Sequence, residues 1–181
     1  MYSKFFKADL PDFIDKGSTL KLELKLKRIL NKEEYKKELV LKEEIIEDRD
    51  VEEQKKLLKY LNANNITISP IENGLYYIPI TEGKGANVEQ GKTVVINYKG
   101  FFLDGKQFDS TYEREAMEFT LMDGQEHVIK GLEKGISLMK EGGKAKFIIS
   151  SQLAFGESGS STAIVPAYTT LMYVVELIKV K

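Results

Sequence analysis

Between residues 67 and 181 almost every stretch reads as strand, and only one has the period of a helix. "GLYYIPITEG", "KTVVINYKGFFL", "AKFIIS" and "TTLMYVVELIKV" are rich in β-branched and aromatic residues and are separated by Gly, Asn and Lys turns. Between them, "HVIKGLEKGISLMKEG" places Val128, Ile129, Leu132, Ile136 and Met139 on one face, with Gly142 and Gly143 as the stop. A single helix can cover only one face of several antiparallel strands. The expected architecture is α+β, a curved sheet wrapped on that helix.

The chain is long enough at 181 residues for one good core and a small second one. With 42% apolar and 30% charged residues it has the balance of a globular protein. Lys and Arg total 27 against 28 for Asp and Glu, which argues against nucleic acid or an anionic membrane as the main partner. There is no cysteine, so disulfides, thiol chemistry and cysteine-bound zinc are excluded. The one histidine, His127, cannot build a multi-histidine metal site. At the start of the helical stretch it reads as a cap or a solvent contact, with a pocket-rim role as the lesser reading. No metal or cofactor is expected. No apolar run approaches the roughly 18 residues of a spanning helix.

Ahead of the strands lie two other textures. Residues 1–30 end in "STLKLELKLKRIL", where Leu20, Leu22, Leu24 and Leu26 alternate with charged residues, the pattern of a strand with one buried face. Residues 31–66 are dense in Glu and Lys and read as a charged helical connector. Asp50 and Glu53 have the spacing of a capping box, so a second helix is expected to open there.

The residues that carry chemistry sit in "NYKGFFLDGKQFDSTYER", residues 97–114. Phe101, Phe102 and Phe108 surround a turn at residues 103–106, and Asp109 follows the last ring. A carboxylate among aromatic rings is costly unless something hydrogen-bonds it. Its plain role would be to neutralise Arg114. "GKGANVEQG" and "EGGKAK" lack phosphate-binding spacing and read as turns.

"VVINYKGFFLDGKQFDSTYER", "VIKGLEKGISLMKEGGKAKFIIS", "LAFGESG" and "IVPAYTTLMYVVELIKV" follow one another in an order and spacing that resembles the FKBP-type peptidyl-prolyl cis/trans isomerases. The resemblance covers about residues 71–181, some three fifths of the chain. It implies an isomerase domain over residues 67–181, a half-barrel of five or six strands around a short helix, and a shallow aromatic pocket between them. Carried over, the pocket comprises Tyr98, Phe108, Asp109, Val128, Ile129, Leu132, Phe155, Ile164 and Tyr173. Phe108, Phe155 and Tyr173 would be the dry walls for a proline ring, and the Ile129 N–H would hold a substrate carbonyl. Tyr98 and Arg114 would hold Asp109, and Met117 would lie on the strand beyond.

Two positions depart from the family pattern. Leu132 stands where many members have Trp, and Phe155 where a Tyr hydroxyl is usual. The second change forfeits one hydrogen bond, about 0.5–1.5 kcal/mol net. Both are expected to spare proline turnover more than tight binding of the family's macrolide inhibitors. The implied activity is rotation of X-Pro bonds in proline-containing polypeptides during protein folding; a non-catalytic binding or chaperone module is the alternative. The composition resembles bacterial members, some of which are exported. A chain starting at Met1 is expected to be cytoplasmic, and a fragment of an exported protein would belong to the cell envelope or periplasm.

A last expectation concerns the first segment. "LPDFIDKGSTLKLELKLKRI" can be laid without gaps on "SSTAIVPAYTTLMYVVELIKV", with Leu20 on Leu171, like the tail of a preceding domain of the same kind. A strand of this sort needs a sheet neighbour and a cover. It would pack on the helices of residues 31–62 or on the same strand of a second copy, giving a homodimer by strand addition.

Overall fold

The computed structural model describes residues 28–122, 124 and 127–181. The alternating leucines of residues 20–26, the internal repeat and the dimer strand lie outside the described residues. The chain divides into two compact units, Met1–Leu39 and Val40–Lys181. Among the described residues no helix is long and apolar enough to cross a membrane.

Helix α1 runs unbroken over Lys32–Ala63. Its start is a capping box at Asn31 and Glu34, not the Asp50 and Glu53 pair that the sequence pattern suggested. The Asn31 side chain accepts from the Glu33 and Glu34 amides, and Glu34 accepts from the Asn31 amide. The expected second helix at Asp50 is therefore corrected: no break occurs there, and Glu53 is not a cap. Instead Glu53 is buried with 4% exposure. Its carboxylate accepts from the Ser151 amide at 2.7 Å, from the Thr170 hydroxyl at 2.6 Å, and from the Ser151 hydroxyl. Three donors offset the loss of water around the charge.

In the second unit six antiparallel strands follow: β1 (Leu75–Thr81), β2 (Thr93–Phe102), β3 (Gln107–Ser110), β4 (Met117–Thr120), β5 (Lys144–Ile149) and β6 (Leu171–Val180). They form one sheet in the order β1-β5-β6-β2-β3, with β4 also paired to β2. The free edge of β2 is divided. Residues Thr93 to Ile96 pair with β4, and Lys99 to Phe101 with β3. The fold is α+β, with an open antiparallel sheet, as the sequence led one to expect.

Alternation explains which face is covered by what. Val94, Ile96 and Tyr98 of β2, Ala145, Phe147 and Ile149 of β5, and Leu171, Tyr173, Val175 and Leu177 of β6 point into the main core. Helix α2 (Lys130–Ile136) closes this face with Leu132 and Ile136. It is shorter than the expected span of residues 127–142. Beyond Ile136 the backbone turns, with Met139 donating to the Ile136 carbonyl, and Lys140 bridges to Asn87. Ile148, on the opposite face of β5, packs with Leu57 and Leu61 of α1, flanked by Tyr60, Tyr76 and Ile78. Burying each of those leucines contributes about 1.5–3 kcal/mol. The last turns of the charged helix thus form a second, smaller core.

Candidate active site

The β2–β3 hairpin turns at residues 103–106, where Gly105 takes a φ of 89° and Asp104 accepts from the Lys106 amide. Register then shifts: Gly100 opposes Asp109, but Phe101 opposes Gln107, leaving Phe108 as an extra residue. Neighbours on a regular strand point to opposite faces, and a bulge breaks that rule. Phe108 and Asp109 consequently both meet aromatic residues of the core face. The Phe108 ring stands edge-on to Tyr173 at 5.7 Å and tilts against Phe102 at 5.1 Å. It also lies over Gly100, where an added Cβ would come within 2.7 Å of the ring.

Asp109 is held from three sides. The Tyr98 hydroxyl donates to one oxygen at 2.5 Å, while Arg114 and the Ser110 amide donate to the other at 2.6 and 2.8 Å. Arg114 also reaches the Tyr98 hydroxyl at 3.2 Å. Thr111, buried in the turn, makes this possible. Its hydroxyl accepts from the Tyr98 amide and donates to Asn97, and its carbonyl accepts from the Arg114 amide. Burial, then the hydrogen bond and charge of Asp109, push the Tyr98 phenol up to about 12. Burial, chiefly, also raises the Tyr173 phenol. Both stay neutral donors over the ordinary pH range.

These side chains border a cavity of about 510 Å³. Tyr98, Asp109, Met117, Val128, Ile129, Leu132, Phe155 and Tyr173 all line it. Leu132 is buried with 2% exposure and gives an apolar floor, while Ile129 occupies the N-cap position of α2. An N–H at that position has no partner inside the helix. Phe108 and Arg114 stand behind this lining, one packed on Tyr173 and the other on Asp109. Ile164 is not brought to the cavity. It is 55% exposed and borders a separate depression with Phe102, Lys56 and Tyr168. Its neighbour Val165 takes the buried position instead, at 2% exposure.

Four lining residues were not singled out in the sequence: Lys130, Gln152, Ala154 and Gly156. His127 does not cap α2, since Ile129 holds the N-cap position; it is exposed at the cavity rim, the lesser of its sequence readings, and its imidazole tilts against Phe119 at 5.8 Å. Ala154 and Gly156 flank Phe155, and that adjacency was the available signal. Lys130 follows Ile129 in the same way, and Gln152 had no such signal.

An aromatic cavity beside an open antiparallel sheet, with a tethered carboxylate on its rim, is the class of fold and pocket that the sequence resemblance implied. The family of FKBP-type peptidyl-prolyl cis-trans isomerases matches residues 84–178, and the chain belongs to that family. It is 43% identical over 109 residues to the FKBP-type peptidyl-prolyl cis-trans isomerase FkpA of Escherichia coli K12, covering 60% of this chain and 38% of that protein. It is 39% identical over 108 residues to an FK506-binding protein of Neisseria meningitidis serogroup B, covering 59% of this chain and 96% of that one. The crystal structure of FkpA from Escherichia coli matches with a TM-score of 0.64 at 31% identity, over 84% of this chain and 74% of that chain. The aligned stretch thus spans well under half the length of the FkpA sequence.

Proposed function

We propose that this chain accelerates cis/trans rotation about X-Pro bonds of polypeptides, with residues 67–181 carrying the activity. The bond resists rotation because amide resonance gives it partial double-bond character, a barrier of about 18–20 kcal/mol. The two isomers differ by only about 0.5–1 kcal/mol, so both are populated and exchange is slow. No covalent bond breaks. The planar amide is strongly dipolar and well solvated, whereas the twisted one has lost resonance and suits a drier surrounding. Each 1.36 kcal/mol or so of preference for the twisted form is worth tenfold in rate.

The residues divide that task. Tyr173, Phe155 and the Phe108 ring behind them enclose the proline ring over Leu132. The Ile129 amide positions a substrate carbonyl, and Asp109 presents a fixed negative charge to the carbonyl carbon as it twists. The observation that carries the reading is the Asp109 carboxylate, held by Tyr98, Arg114 and its neighbour's amide on the rim of an apolar cavity. Such a charge needs no rearrangement during the reaction.

An isomer-specific assay on an X-Pro peptide tests this. Wild type should shorten the relaxation, and Asp109→Ala should lose about tenfold or more in kcat/KM. If wild type relaxes the peptide no faster than buffer, the enzyme reading is wrong. Peptide binding without acceleration would assign the cavity to a binding module.

A further inference from the structure

Glu53 is a buried charge with no role in the chemistry just described, and its partners lead straight to the cavity. Ser151, whose amide and hydroxyl both donate to Glu53, opens a 3₁₀ turn over Ser151–Leu153. The Ser151 carbonyl accepts from the amides of Ala154 at 2.9 Å and Gly156 at 2.8 Å. Those are the residues on either side of Phe155, and all three line the cavity. Gly156 in turn accepts from the Tyr168 amide, which closes the long loop between β5 and β6. At the far end of this loop Thr170 donates to the same Glu53 oxygen that holds the Ser151 amide. Tyr173 follows three residues later, at the third position of β6. One carboxylate therefore grips both ends of a loop that carries one wall of the site, Phe155, and leads into another, Tyr173.

We propose that Glu53, which lies outside the 84–178 stretch defining the family, is a positioning residue for the isomerase site. It sets Phe155 through Ser151 and Tyr173 through Thr170. The proposal rests on the functional reading above. Its physical basis is that a carboxylate can hold three donors at once, and three convergent bonds fix the loop's two ends against each other. Lost convergence leaves the cavity present but its walls displaced, and small displacements of a positioning surface lower turnover steeply.

The test compares variants of the full chain by peptide isomerisation, thermal unfolding and amide exchange, below the unfolding range of each variant. Glu53→Ala should lower kcat/KM about fivefold to tenfold and speed exchange at Ala154 and Gly156. Glu53→Gln keeps two acceptor sites on one oxygen and should restore the rate to within about twofold of wild type. Leu61→Ala, on the same helix and equally buried but outside the clamp, should lower Tm while leaving kcat/KM within about twofold. If folded Glu53→Ala works at the wild-type rate, or Leu61→Ala loses as much turnover, the proposal is overturned. Should Glu53→Ala not fold, Thr170→Val removes one bond at constant shape; a drop of about twofold or more supports the proposal, and an unchanged rate sinks it. An inactive wild type would instead reject the functional reading. The exchange at residues 154–156 then still decides whether Glu53 positions the loop.

Discussion

Two carboxylates, Asp109 and Glu53, meet the same physical problem in opposite ways. Asp109 sits on the cavity rim with 37% of its side chain exposed, and it has a cation, Arg114, beside it. Glu53 is almost fully buried and relies on two hydroxyls and an amide. The first can face a substrate. The second cannot, and is available only to the protein. On the roles proposed above, charge on the rim serves chemistry and charge in the interior serves geometry, so the two should separate when activity and stability are measured on the same variants.

The largest expected effect is on the walls beside the rim. Phe108→Ala or Tyr173→Ala should lower kcat/KM by about a hundredfold, since each removes a ring that keeps water from the twisting amide. Arg114→Ala should cost only about threefold, because its guanidinium is exposed and orients Asp109 without enclosing anything. Equal losses in peptide isomerisation from all three would show that the rim's charge, not its dryness, does the work.

Next in size is stability. Glu53→Ala leaves the Ser151 amide and two hydroxyls buried without an acceptor, and should cost about 2–4 kcal/mol in denaturant unfolding. Asp109→Ala should cost about 1 kcal/mol or less, because its partners can turn to water. Reversed values would collapse the distinction between the two carboxylates.

The smallest effect is a slope in alkaline solution. Folding raises the Tyr98 phenol from 10.0 to about 12, so folding favours the protonated form. Its contribution is complete below pH 10 and is lost as pH rises through about 12. Unfolding free energy measured across that window should fall for wild type and fall less for Tyr98→Phe. An identical slope in both would mean that folding does not raise the Tyr98 phenol.

What could be read in the sequence was what depends on neighbours along the chain. Alternation in "TVVINYKG" and "LMYVVEL" placed β2 and β6, and the Asp-Gly turn with its flanking rings placed the β2–β3 hairpin. Phe108, Asp109 and Arg114 fall within seven residues, so their association shows locally. Glu53 defeated that kind of reading, because Asp50 and Glu53 satisfy a local capping pattern while the donors that claim the carboxylate lie 98 and 117 positions away. Ile164 failed for a related reason. Ile164 and Val165 are adjacent and similar, and only the path of a loop decides which faces inward. Nor does the sequence show how closely α2 lies on β5, where Gly131 and Gly135 leave room for the side chains of Ile149 and Phe147.

The seat of Phe108 on Gly100 has a consequence for how a substrate is received. Behind that ring is main chain, locked into hydrogen bonds with β6 on one side and β3 on the other. Side chains backing a wall can hop between rotamers and let it give, but a paired strand has no such freedom. The ring is ordered when the sheet forms, not when a proline arrives. On the proposed function, a peptide that enters surrenders its own mobility but not that of the wall, so less of the binding free energy goes into ordering the site.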